Sequence, residues 1–210
     1  MVSDSPPLPD IPLPPRPWVT SPEFAEALRT AALMHAAQKR KGSNLPYISH
    51  LLGTCSIALE NGATEVEAIA ALLHDMIEDI EPTERARAAV GRFGPEVLRI
   101  VEECSDADTH PKPPWRARKE RYIRRLASAD RSVLLVSASD KLHNARTIIA
   151  DFRQVGVEVW TRFKASREES LWYYRALVAA YRDNPAHPPA LIAELDRAVT
   201  ELETMEIPSS

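Results

Sequence analysis

The chain has 210 residues, 44% hydrophobic and 27% charged, with only 6 glycines, a composition that suits a single soluble core and leans towards helix. A formal net charge of -4 gives no global attraction to DNA or anionic lipid, so neither is an expected partner and any anionic ligand must meet a local basic patch. No apolar run approaches the roughly 18 residues of a membrane span and no secretory leader is visible, which predicts a cytoplasmic protein; Cys55 and Cys104, with no CxxC spacing, read as small buried hydrophobes.

Residues 1–20 hold seven prolines (Pro6, Pro7, Pro9, Pro12, Pro14, Pro15 and Pro17), which favour extended backbone and predict a flexible arm ahead of one domain over 21–206. Ser21-Pro22 reads as an N-cap and first helical position, opening a helix over 22–41 that Gly42-Ser43-Asn44 breaks. A second helix over 47–60 stops at Asn61-Gly62. The third, 64–80, carries Val66, Ile69, Leu73, Met76, Ile77 and Ile80 at helical spacing as one core-facing stripe. Further helices are predicted at 83–92, 95–105, 114–127, 131–154, 167–183 and 188–205, parted by Gly94-Pro95, His110-Pro111 and Asn184-Pro185, with Ser166 and Glu169 as a capping box. The run Val133-Leu134-Leu135-Val136 would suit a strand by composition, but the polar positions after it fit a spacing of four and favour helix. The expected class is all-α, a bundle of about eight to ten helices.

On the 64–80 helix, His74, Asp75, Glu78 and Asp79 fall on the side turned away from the apolar stripe. A His-Asp pair by itself is ordinarily a solvated face. Downstream, Asp140, Asn144 and Thr147 form one polar line at i, i+4 and i+7, and upstream His50 sits in the first turn or so of its helix. Together, His50, His74, Asp75 and Asp140 supply two imidazoles and two carboxylates from three helices, a donor set suited to Mn²⁺, Fe²⁺ or Zn²⁺. On an octahedral ion that set leaves room for a water and a phosphate oxygen, which is hydrolytic chemistry.

The stretches His35 through Lys41, Pro46-Tyr47-Ile48-Ser49-His50, Leu72 through Asp79 (LLHDMIED), Phe93-Gly94, and Asp140-Lys141-Leu142-His143-Asn144 with Arg146-Thr147 resemble the hydrolase domain of the RelA/SpoT family. The resemblance is closer still to the stand-alone small alarmone hydrolases, and it spans roughly 25–180. It implies an HD-type helical bundle and one divalent metal, Mn²⁺ before Zn²⁺, Fe²⁺ or Co²⁺, held by His50, His74, Asp75 and Asp140. It also implies Glu78 and Asp79 as the catalytic pair beside the attacking water, one handling that water and the other the departing 3′-oxygen, with the order left open. Arg40, Lys41, Asn144 and Thr147 would grip the base and ribose of a small nucleotide. The implied reaction removes pyrophosphate from guanosine 3′,5′-bis(diphosphate), ppGpp or pppGpp, leaving GDP or GTP.

Departures from the commonest family pattern at Leu51, at Ser139 and in the Arg40 to Pro46 loop, one residue longer than in many members, remove no ligand, though the loop bears on the base contact and so on guanine over adenine. His35, in line with Phe24, Leu28 and Ala31, reads as a hydrogen-bonded core histidine. The basic run Lys112, Arg116, Arg118, Lys119, Arg121, Arg124 and Arg125 reads chiefly as a solvated face, with Lys119 and Arg121 as the candidate phosphate contacts. Three other readings stay open at this point. The same ligand set could serve another nucleotide, such as an adenosine alarmone, the 2′-phosphate of NADPH or a deoxynucleotide triphosphate. A non-catalytic nucleotide sensor would have no need of Glu78 and Asp79, and a nucleic-acid binder would have to rely on the 112–125 run.

Overall fold

In the computed structural model, which describes residues 20–107 and 112–205, helix α1 (Pro22–Met34) opens as expected: the Ser21 hydroxyl accepts from the amides of Glu23 and Phe24, and Pro22 takes the first turn. The prolines of the expected arm, the His110-Pro111 break and the expected boundary at 206 lie outside the described residues. After α1 come α2 (Ile48–Glu60), α3 (Glu65–Leu73), α4 (Met76–Asp79), α5 (Thr83–Gly91), α6 (Pro95–Cys104), α7 (Trp115–Leu126), α8 (Arg131–Val155), a 3₁₀ segment (Gly156–Arg162), α9 (Arg167–Asp183) and α10 (Pro189–Thr204). No strand occurs among the described residues, so the all-α expectation holds, with α4 only a single turn.

Helix α8 is the axis of the bundle, packed by α2, α3, α6 and α10, while α1 and α2 pack on α3 and α7 packs on α9. Its first two turns contain the Val133-Leu134-Leu135-Val136 run, fully buried as helix. Burial on several sides rather than one explains why composition alone could pass for a strand. Leu51 and Ser139, the two substituted positions among the departures, are both wholly buried, and the Ser139 hydroxyl bonds back to the Leu135 carbonyl. Capping boxes open α3 (Thr64 with Glu67) and α9 (Ser166 with Glu169). Glu67 also accepts from Ser132 at 2.7 Å and Arg131 at 3.2 Å, tying the start of α3 to the start of α8. Cys55 is buried and free, and burial pushes its thiol up to about 11; Cys104 is free and only half-buried.

Three expected features differ, and two of them build the site. Helix α1 ends at Met34 rather than near Lys41. Residues 38–47 instead fold back on themselves: the Arg40 amide bonds to Leu45, the Tyr47 amide bonds to Gln38, and Gly42 takes a left-handed φ of 70° at the tip. The expected helix over 64–80 breaks at His74–Asp75 into α3 and α4. The physical reason is a competition for one carbonyl: the His74 imidazole Nδ1 lies 2.8 Å from the Ala71 oxygen, which a continuous helix would give to the Asp75 amide. Asp75 then relaxes to φ -93°, ψ -2° and turns the chain. Val66, assigned to the core stripe, is 39% exposed. From Glu67 to Leu73 α3 is buried all round, so a one-faced stripe does not describe it and Val66 is left in the exposed first turn.

Candidate metal centre

Helix α2 and the corner between α3 and α4 converge on the middle of α8. His50 projects from the first turn of α2 and is 1% exposed; Asp140 comes from the centre of α8; His74 and Asp75 occupy the break between α3 and α4. The His50 Nε2 atom lies 3.4 Å from Asp75 Oδ2 and 3.2 Å from Asp140 Oδ1. His74 Nε2 lies 3.1 Å and 3.6 Å from the same two oxygens. Donor atoms of His50, His74 and Asp140 all fall within 4.8 Å of one another.

This donor set fits a divalent cation. Two atoms bonded at about 2.1 Å to one ion stand roughly 3.0 to 3.5 Å apart at octahedral or tetrahedral angles, close to the separations above. His74 Nδ1 is committed to the Ala71 carbonyl, while its Nε2 is buried and has no hydrogen-bond partner although two carboxylates are near. Burial opposes a charge on His74, but Asp75 and Asp140 outweigh it and raise its pKa well above the usual value. Burial likewise opposes the carboxylates, yet His74 and His50 hold Asp75, and Lys141 and both histidines hold Asp140, well below the usual range. The cluster is thus an anionic pocket that attracts positive charge, and a metal ion would compete with the His74 proton for it.

Beside it stand Glu78 and Asp79 on α4. Lys112 Nζ reaches Glu78 at 2.9 Å and Asp79 at 3.9 Å, and Gln38 donates to Asp79 at 2.8 Å. Burial foremost raises the pKa of both, aided by Asp106 for Glu78 and by Asp75 for Asp79, against the pull of Lys112. A raised pKa is the direction that suits a carboxyl to proton transfer.

Of the expected nucleoside contacts, Arg40 and Asn144 come together: Arg40 Nη2 donates to Asn144 Oδ1 at 2.7 Å, and the Asn144 amide in turn donates to Asp140. Thr147 follows one turn along α8, its hydroxyl bonded to the His143 carbonyl at 2.9 Å. Lys41 is exposed and has no hydrogen bond or ion pair among the described residues. His35 is buried, with Nδ1 2.6 Å from Gln38 and its ring stacked on Tyr47.

Several members of the basic run are engaged within the protein. Arg118 and Lys119 pair with the buried Asp106 carboxylate, Arg121 bonds the Asp106 carbonyl at 3.2 Å, and Arg116 pairs with Glu120 and stacks over Trp172. Lys119 and Arg121, the candidate phosphate contacts, therefore brace the start of α7, and Lys112 is the member of the run that reaches the acidic pair.

Sequence reasoning assigned no role to Gln38, Tyr47 or His143, although all three lie inside the matched stretches, and placed Lys112 only within the basic run. Tyr47 donates to Asp75 Oδ2 at 2.7 Å, an outer bond that orients the carboxylate. Tyr47→Phe is expected to weaken metal affinity about 10- to 100-fold with little change in melting temperature. A chelator-competition titration reads this, and unchanged affinity would mean that Asp75 is held without Tyr47.

A family model described as HD domain matches residues 27–170. The human guanosine-3′,5′-bis(diphosphate) 3′-pyrophosphohydrolase MESH1 is 34% identical over 145 residues, covering 68% of this chain and 76% of that one. The GTP pyrophosphokinase rsh of Brucella ovis is 35% identical over 134 residues, which are 60% of this chain; the match spans only 18% of that protein. Among solved structures, one described as a metazoan ortholog of SpoT that hydrolyses ppGpp superimposes with a TM-score of 0.71 at 27% identity, covering 90% of this chain and 100% of that one.

Proposed function

The chain belongs to the HD-domain family, and we propose that it hydrolyses guanosine 3′,5′-bis(diphosphate), or its 5′-triphosphate counterpart, to GDP or GTP and pyrophosphate in the cytoplasm. The observation that carries this reading is the cluster of His50, His74 and Asp140, with Asp75 against it, directly beside two carboxyls of raised pKa. Similarity to stand-alone 3′-pyrophosphohydrolases supports the substrate class.

In this reading His50, His74, Asp75 and Asp140 hold one divalent ion, with Mn²⁺ favoured by the mixed imidazole and carboxylate set. When bound, the ion supplies Lewis acidity to the phosphate at the ribose 3′-oxygen and makes water a better nucleophile at neutral pH. Arg40 and Asn144 bind the nucleoside, the guanidinium plane stacking on the base and the amide meeting its edge, with Lys41 and Thr147 at the rim. Fixing the nucleoside there orients the 3′-oxygen towards the acidic pair. One of Glu78 and Asp79 takes a proton from the attacking water and the other returns one to the 3′-oxygen. Gln38 on Asp79 and Lys112 on Glu78 keep both side chains in place.

Incubating the metal-loaded protein with ppGpp, ppApp, NADPH and deoxynucleotide triphosphates, with products separated by chromatography, tests the substrate. Preferential conversion of ppGpp to GDP is the expected result; faster turnover of ppApp, NADPH or a deoxynucleotide triphosphate would reassign the enzyme to that nucleotide.

A further inference from the structure

Helix α2 carries a glycine, Gly53, one turn beyond His50 in its interior, where glycine costs about 1 kcal/mol relative to alanine. Its backbone needs no left-handed conformation. What needs the missing side chain is a neighbour: a methyl group at Gly53 would overlap the Cδ2 and Nε2 atoms of His143 on α8. That imidazole fills the space against α2, and its Nδ1 lies 2.9 Å from Nδ1 of His50, with ring centroids 4.8 Å apart.

We propose that His143 is a positioning residue for the metal centre, gripping His50 through the Nδ1 to Nδ1 hydrogen bond, and that Gly53 leaves the room in which its ring stands. The inference rests on the metal reading of His50 above. An imidazole that ligates through Nε2 carries its proton on Nδ1. His50 Nε2 is the atom facing Asp75 and Asp140, so His50 donates, His143 Nδ1 accepts, and the His143 proton sits on Nε2.

The placement is economical in backbone terms. His50 and Gly53 are one turn apart on α2, as are Asp140 and His143 on α8, so each helix offers one ligand and one half of the contact that sets the spacing between the ligands. A ligand histidine is commonly oriented by a carboxylate or a backbone carbonyl. Here a neutral ring does the same while adding no negative charge to a pocket that already holds Asp75, Asp140, Glu78 and Asp79.

The test uses the metal-stripped full chain, with Zn²⁺ as the probe ion in competition with a chromophoric chelator. His143→Ala is expected to bind Zn²⁺ about 10- to 100-fold more weakly than the unmodified chain. His143→Asn should restore most of the loss, because the Asn Oδ1 stands close to the position of the histidine Nδ1 and accepts the same proton. Gly53→Ala, a better helix former, should also weaken Zn²⁺ binding, but should add nothing once His143 is alanine, since the overlap it causes has gone. Wild-type affinity in His143→Ala would overturn the proposal and leave the metal reading standing. An Asn variant as weak as the Ala variant would also overturn it, making the ring a mere spacer between helices. No Zn²⁺ uptake by the unmodified chain would overturn the metal reading, and this proposal with it.

Discussion

Glu78→Gln is expected to keep its metal and lose turnover by roughly 10²- to 10⁴-fold, the range for removing a general acid or base. The same change should raise the melting temperature of the metal-free protein at neutral pH. Burial, with Asp106 and Asp75 nearby, raises the Glu78 pKa in the fold despite Lys112. Between the unfolded and folded pKa values the native state therefore holds more protons than the unfolded chain, and stability falls as pH rises through that window. Above it, the ionised side chain is a net cost that the neutral amide removes. Lys112 is 29% exposed, so loss of its partner leaves it able to rehydrate. Steady-state kinetics, elemental analysis and thermal melts on one preparation check all three parts. Equal loss of metal in Glu78→Gln would make Glu78 a ligand and overturn its catalytic role.

The second large effect concerns the ligands. Exhaustive chelation should abolish activity, with Mn²⁺ restoring it best, and His74→Ala and Asp140→Ala should each fail to retain metal. Charge stabilisation of a phosphoryl centre by a cation is worth several kcal/mol; at about 1.4 kcal/mol per tenfold in rate, the loss is on the order of 10³-fold or more. Asp140→Ala carries a further cost. Lys141 Nζ lies 2.6 Å from Asp140 and its side chain is only 15% exposed, and a largely buried cation stranded without its partner destabilises a fold by about 3 to 5 kcal/mol. This variant should therefore melt well below His74→Ala. Undiminished turnover after EDTA dialysis, with elemental analysis finding no metal, would contradict the assignment of these residues.

Most helices and the residues of the His50, His74 and Asp140 cluster were legible because their signals are local. Ser21-Pro22, the capping box of Ser166 and Glu169 and the breakers at Gly62 and Gly94 act within one or two turns of chain, and His50, His74-Asp75 and Asp140 come from segments whose order identified the family. What was not legible depends on contacts distant in sequence or on competition within a turn. The break at His74 follows from an imidazole taking its own helix's carbonyl, which no apolar periodicity reports. The early end of α1 follows from the chain pairing residues 38–40 with 45–47, and it is this turn that brings Gln38 to Asp79 and Arg40 to Asn144. The solvated-face reading of the basic run holds for Arg116, Arg121, Arg124 and Arg125, which are exposed; the pairing of Arg118 and Lys119 was not legible because Asp106, their partner, is an acid upstream whose burial only packing reveals. For Gly53 there was a visible signal: a glycine inside a predicted helix marks a close approach, but its partner lies 90 residues on.

Cleavage of ppGpp in ¹⁸O-enriched water tests the central claim most directly, because it reports which atom is attacked. With the nucleoside fixed at Arg40 and Asn144 and the reacting phosphate at His50, His74, Asp75 and Asp140, water attacks the phosphorus attached to the ribose 3′-oxygen, and that oxygen leaves with the nucleoside. The account predicts GDP and intact pyrophosphate as the only products, with the heavy oxygen in pyrophosphate and none in GDP. Heavy oxygen in GDP, or orthophosphate as the first product, would contradict it.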